Sequence, residues 1–266
     1  SRRDSVPPDA TCHARNPVTA QQHTTVLHRR TGESIPQLCQ EHRPEGTAGG
    51  ARLPPMEVPQ PGTPEWHALV REDVVEPGRA IIDPHHHLWP SGQALNYDLA
   101  DLLGDTGDGH SIECTVFMEC GASYDASAPP HLAAVGETRF VASRAASDPR
   151  GTIRALVASA DLAHPQLDEI LDAHAEASGG MFRGIRDALS RADEPAALTI
   201  PGRNAEGKFE NPAFVRGVQR LGERGLTYDS WHYHHQNREF LALARSAPGT
   251  VMVLDHFGTP VGVGKW

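Results

Sequence analysis

Three consecutive histidines close an apolar stretch, Ile81-Ile82-Asp83-Pro84-His85-His86-His87-Leu88-Trp89. In an extended chain residues i and i+2 share a face. His85 and His87 therefore present two imidazoles to one side while His86 points to the other. Neutral imidazole is a ligand for zinc, iron, nickel or copper, so this pair reads as the start of a metal shell. The alternatives are a solvent-facing histidine run or an artificial tag, and three histidines in a strand-end context are not a tag. A second run, Leu226-Thr-Tyr-Asp-Ser-Trp231-His232-Tyr233-His234-His235, puts His232 and His234 on one face if the strand continues. A polar loop with surface histidines is the competing reading. A third segment, Val253-Leu254-Asp255-His256-Phe257-Gly258, carries a single histidine. One histidine is more often a structural group than a ligand. Three separate strand ends that all carry histidine are harder to assign to chance.

Two further strand ends carry polar groups. Val116-Phe117-Met118-Glu119 ends in a carboxylate that can ligate a metal, orient a histidine or face water. Phe182-Arg183-Gly184-Ile185-Arg186 ends in a guanidinium suited to bidentate contact with a substrate carboxylate. An Arg–Asp pair bridging loops is the plainer alternative for Arg186. Arg183, Trp89 and Trp231 lie beside these groups in sequence and are candidates for lining a substrate. Cys120 has no evident partner and reads as a small buried thiol.

The elements that must position these residues alternate. Six short apolar runs recur: Ala80–Asp83, Glu113–Met118, Ile153–Ser159, Met181–Arg186, Leu226–Ser230 and Val251–Leu254. Helical patterns separate them. Asn211-Pro212 is an N-cap and first-turn pair; Phe214, Val218 and Leu221 form a stripe, and Gly225 marks the stop. Leu167, Ile170 and Leu171 give a second stripe, and Phe240 with Leu243 a third. Strand–helix alternation at this spacing predicts βαβ units and a parallel sheet. Active sites gather at the carboxyl ends of such strands. The run Val251–Leu254 predicts a strand buried on both faces.

The chain has 266 residues, sixteen of them histidine, and a formal net charge of −10. It is uneven. Residues 1–62 hold nine prolines, 7 Arg, 6 Asp+Glu and neither Phe nor Tyr. Such a stretch buries too little apolar surface to offset its ordering entropy, and it is expected to be a disordered, Pro-rich tail and linker. Residues 63–266 carry 17 Lys+Arg against 28 Asp+Glu and all seven Phe. This acidic body argues against nucleic acid as a partner. No apolar stretch approaches the roughly 20 residues of a membrane span. Four cysteines without close pairing read as free thiols in a reducing compartment, placing the protein in the cytoplasm.

The segments Ile82–Trp89, Thr115–Ala122, His131–Glu137, Phe182–Arg186 and Leu254–Gly258 resemble the amidohydrolase-related TIM-barrel hydrolases, in that family's order. The likeness covers about residues 63–266 and is strongest to the branch of sugar-lactone and sulfomuconolactone hydrolases. It implies an α/β fold of the (β/α)8 type and a metal-assisted hydrolytic site. By this resemblance His85 and His87 match the first-strand H-x-H pair, His234 the fifth-strand histidine and His256 the sixth-strand histidine. His85, His87 and His234 are then the metal ligands, with His256, His234 and Glu119 as catalytic groups. Arg186 holds the acid group of the substrate. The metal implied is divalent, zinc before manganese, although one lactonase branch of this superfamily works without metal.

A barrel of this kind runs to about 250 residues, whereas Thr63 onward offers 204 residues and six strands. The expectation is therefore a barrel truncated after about six strands, without the last-strand Asp that the family uses as ligand or base. Weak activity or none is expected of such a chain. Its first and sixth strands keep open edges, which favours pairing with another chain, a homo-oligomer among them. The expected activity is hydrolysis of a small lactone bearing an acid group. A nonoxidative decarboxylase on the same scaffold and a non-catalytic barrel are the alternatives.

Overall fold

The computed structural model describes residues 59, 64–92, 96–198, 200, 202 and 204–262. The expected tail lies almost wholly outside them. After a short helix, α1 (Pro64–His67), six strands alternate with helices. They are β1 (Ala80–His86), α2 (Leu99–Asp105), β2 (Ser111–Met118), α3 (Val135–Ala146), β3 (Ile153–Ser159), α4 (Leu167–Ala177), β4 (Phe182–Arg186), α5 (Pro212–Glu223), β5 (Thr227–Ser230), α6 (Asn237–Ser246) and β6 (Met252–Leu254).

All six strands are parallel and pair in chain order, β1 to β6. This is the succession of a (β/α) barrel, in which each helix returns the chain to the start of the next strand. Five of the six strands coincide with the apolar runs to within two residues at either end. β1 runs further than its apolar part, to His86. Pro84 supplies no N–H to the ladder, and the register slips there: Asp83 pairs with Thr115 but His86 with Phe117. The bulge is capped by Asp83 Oδ1, which accepts the His85 N–H at 3.1 Å.

The helices cover the outer face of the sheet. Asn211 caps α5 by accepting the Ala213 N–H at 2.9 Å, Pro212 fills the first turn, and Phe214, Val218 and Leu221 are fully buried. Gly225 ends the helix at φ +69°, in the region glycine enters without penalty. Phe214 meets Tyr228 of β5 edge-to-face at 5.8 Å. Leu167, Ile170 and Leu171 of α4 and Leu243 of α6 join the same apolar layer, with Phe117, Leu156 and Ile185 from the strands.

One expectation is corrected. The Val251–Leu254 strand is not buried on both faces: Val253 is 38% exposed and Leu254 40%. Among the described residues β6 is the last strand of the sheet, with a neighbour on one side only, and its apolar residues meet solvent. Ile82 on β1, the other edge, is likewise 48% exposed. Among the described residues no helix is long and apolar enough to cross a membrane.

Candidate active site

The histidine pair sits where β1 ends. His85 and His87 face one another with ring centroids 5.0 Å apart, and His86 turns the other way, edge-on to Phe117 at 5.8 Å. The Nδ1 of His87 lies 2.8 Å from the Met118 carbonyl at the end of β2. A carbonyl only accepts, so Nδ1 carries the proton and Nε2 the lone pair. This is the second contact that fixes ring and tautomer in metal-binding histidines. Burial pushes His85 down to about 2, helped by the charges of His87, Arg186, His256 and His86. The ring is therefore neutral at any ordinary pH. The ring of His256, which follows β6, is 4.7 Å from that of His85. It too is held below the ordinary histidine range, by loss of water and by Arg186, with Asp255 opposing.

His256 stands on unusual backbone. His256, Phe257 and Thr259 have φ of +50°, +56° and +43°. Residues other than glycine occupy this region only when their surroundings impose it. Gly258, between them, packs so closely against Asn237 that a Cβ would come within 2.3 Å of its Oδ1.

Arg186 ends β4 and is almost wholly buried. Its Nε donates to Glu119 Oε1 at 2.7 Å and its Nη2 to the Glu119 carbonyl, while Nη1 is 3.5 Å from Asp255 Oδ2. The guanidinium thus joins the ends of β2, β4 and β6. The plainer alternative, an Arg–Asp pair bridging loops, does form, but with Asp255 and beside the Glu119 contacts; Asp187, the next residue in the chain, pairs with Lys208 at 2.9 Å. Asp229, the β5 partner of Arg186 in the ladder, is buried beside them. Burial raises its carboxyl to about 7, despite a hydrogen bond from Thr227 and the charge of Arg186.

The remaining expected residues are held by other contacts, and of them Trp89 packs against the histidine pair. β5 ends at Ser230, so His232 and His234 do not continue on one strand face. His232 is fully buried, its ring nitrogens engaged by Ser230 at 2.8 Å and Asn237 at 3.0 Å. His234 opens a 3-10 turn, His234–Gln236, and its Nδ1 accepts the Val261 N–H at 3.2 Å. The turn carries it off the strand end, and it is not gathered with His85 and His87 into a three-ligand group. Arg183 is exposed at the opposite end of β4, donating to the carbonyls of Gly180 and Phe182. Trp89 packs against His87 at 5.4 Å, and Trp231 against Tyr233 at 5.9 Å. Cys120 is half-buried, with Glu137 and the Leu88 carbonyl each 3.5 Å from its sulfur.

Sequence reading missed Asp229, Asp255 and Glu137. Glu137 is buried on α3 and accepts the N–H of Ala122 at 2.7 Å and of Cys120 at 3.3 Å. It thereby shapes the loop that begins at Glu119. The available signal was position, because Asp229 and Asp255 stand at strand ends next to the histidines.

The donor set fits a metal ion in part. His85 Nε2 is buried and makes no hydrogen bond, as expected of a nitrogen reserved for a ligand. Its neighbour His87 is pinned in a ligating tautomer. Among the described residues, however, no three His, Cys, Asp or Glu side chains are arranged to hold a metal ion. His85 and His87 can supply two ligands.

Comparison with known proteins bears on the fold and the family. An amidohydrolase from Burkholderia multivorans, solved with bound zinc, superposes with a TM-score of 0.50 at 23% identity, over 67% of this chain and 58% of that one. The uncharacterized protein y4mH of Sinorhizobium fredii is 30% identical over 203 residues, 68% of this chain and 63% of that protein. The chain thus spans less than two thirds of either. The family described as amidohydrolase matches residues 82–265, from the strand that leads into the histidine pair to beyond His256. A parallel (β/α) succession with its histidines at the strand ends and this match over most of the chain give one answer: the chain belongs to the amidohydrolase family.

Proposed function

We propose that the protein is a metal-dependent hydrolase of a small cyclic ester bearing an acid group. The observation that carries this reading is the grouping of His85, His87 and His256 at the strand ends, with Arg186 reaching the same end of the sheet. His85 and His87 would hold the ion, zinc in the first instance, the metal bound in the Burkholderia amidohydrolase. A divalent metal bound there supplies Lewis-acid polarisation of the ester carbonyl and makes water a stronger acid.

The chain's own residues do the rest. The Met118 carbonyl keeps His87 in its ligating tautomer. His85 stays unprotonated, so its nitrogen is available across the working pH range. Arg186, the buried cation at this end of the sheet, orients the substrate's acid group. His256 stands against His85 and is able to move a proton between water and the leaving oxygen. Cys120, a free thiol among the described residues, suits the reducing cytoplasm.

The test is hydrolysis of a panel of lactones, with and without an acid substituent, by the 266-residue chain before and after chelation, alongside elemental analysis. Ring opening that is lost on chelation and restored by zinc is the expected result. Release of CO2 in place of ring opening would assign the scaffold to decarboxylation. Full activity in chelator would remove the metal.

A further inference from the structure

Arg186 offers five N–H donors in a rigid plane, with one edge formed by Nε and Nη2 and another by Nη1 and Nη2. The first edge is closed by a single residue. Glu119 accepts from Nε with its carboxylate, at 2.7 Å, and from Nη2 with its own carbonyl. The second edge is met by Asp255, whose Oδ2 stands 3.5 Å from Nη1. Charge-assisted hydrogen bonds run at roughly 2.7–2.9 Å, so one edge of Arg186 is firmly bound and the other loosely.

Asp255 also leads directly into the strained turn. The three residues at φ +50°, +56° and +43° are His256, Phe257 and Thr259. Such backbone persists only where its surroundings over-determine it. The carboxylate of Asp255 is therefore placed by this turn rather than by a strong bond to Arg186. Asp255 and His256 are adjacent, so a change at one is felt by the other.

We propose that Glu119 is a positioning residue that fixes Arg186, and that Asp255 determines specificity as the placeholder which a substrate carboxylate replaces on the Nη1–Nη2 edge. This rests on the hydrolase reading for the identity of the substrate. Acid-bearing substrates gain entry by exchanging one carboxylate for another. Neutral analogues bring nothing to displace Asp255 and bind more weakly.

The experiment uses the full chain with glutarate as the probe of the acid subsite, and binding is measured by calorimetry. Asp255→Asn removes the competing charge and is expected to tighten glutarate roughly fivefold or more. Glu119→Gln is expected to weaken it by a similar factor. If Asp255→Asn does not fold, as judged by circular dichroism, Asp255→Glu takes its place. Its longer side chain closes the gap to Arg186 and is expected to weaken glutarate. Unchanged or weaker binding in Asp255→Asn overturns the proposal, as does unchanged or tighter binding in Asp255→Glu, or no glutarate binding by the unmodified chain. For Glu119, Glu119→Gln should raise KM for the acid-bearing lactone more than for a neutral one. Equal losses on acid-bearing and neutral lactones would make Glu119 merely structural. The hydrolase reading fails separately: glutarate exchange without turnover of any lactone leaves the placeholder standing and removes the hydrolase.

Discussion

His85 and His256 stand at opposite ends of the sheet order, yet their ring centroids are 4.7 Å apart. One belongs to β1 and the other follows β6. Neighbouring strands are about 4.8 Å apart, so a flat sheet would separate these two by roughly 24 Å. The sheet must therefore curl until its first and last strands bring their ends together. That curvature distinguishes a barrel arc from an open doubly wound sheet of the same strand count, and it creates the site.

If His85 and His87 hold a metal through that curl, each should be needed separately. His85→Ala and His87→Ala are each expected to lower the zinc retained after dialysis by about tenfold or more, the scale on which even supporting contacts act. Elemental analysis on folded variants measures it. Zinc retention at the level of the unmodified protein in both variants would sink the pair as ligands.

Packing of α5 gives a test in which two effects oppose each other. Gly217 lies inside that helix, where alanine is intrinsically better by about 1 kcal/mol. A Cβ there would meet the Leu162 carbonyl oxygen at 1.9 Å, and overpacking against backbone costs roughly 1–3 kcal/mol or more. Sterics should win, so Gly217→Ala is expected to destabilise. Gly104→Ala in α2, where nothing lies within 4 Å of the added carbon, should stabilise by about 0.5–1 kcal/mol. Urea unfolding of the two variants reads both signs, and a stabilised Gly217→Ala would refute the close approach.

Much of this fold was legible because it rests on local patterns. Buried strands read as apolar runs, and α5 declared itself by its cap, stripe and glycine stop. α3 did not, since two of the four residues it buries, Glu137 and Thr138, are polar and interrupt the stripe. The histidine pair was legible for the same local reason, since alternation along one strand decides its facing. The clasp on Arg186 was not. Glu119 is 67 residues away from Arg186 and Asp255 is 69 away, and only the curled sheet unites them. The placement of His234 depended on where β5 stops, and strand ends are set by tertiary pairing rather than by the residues alone.

Acid should act through Asp148. Burial alone would raise this carboxyl, but the N–H groups of Arg150, Thr152 and Ile153 converge on it and hold it below its ordinary value of 3.8. A lowered carboxyl stabilises the fold above its unfolded pKa, and that contribution is lost as pH falls through the lower, folded value. Asp148→Asn, which cannot ionise, should therefore reduce stability at pH 7 and show a shallower decline toward pH 2. Urea midpoints across that range measure it. An identical pH slope in the two proteins would mean that Asp148 contributes nothing to acid unfolding.

Asp229 should act in the opposite sense. Its carboxyl is raised from 3.8 to about 7, chiefly by burial and then by Asp255, against the hydrogen bond from Thr227 and the charge of Arg186. Below pH 4 it is protonated in both folded and unfolded chains and has no effect on stability. Between pH 4 and 7 the unfolded chain ionises while the fold resists, so stability falls with rising pH, then levels off above 7. Three units correspond to about 4 kcal/mol as an upper bound. Asp229→Asn keeps an oxygen to accept the Thr227 hydroxyl, whose bond to Asp229 is 2.9 Å, and it cannot ionise. It is expected to be more stable than the unmodified chain at pH 8 by up to that amount, and equal to it near pH 4. Urea unfolding at the two pH values decides it. A difference between the proteins that is the same at both would show that Asp229 ionises as freely in the fold as outside it.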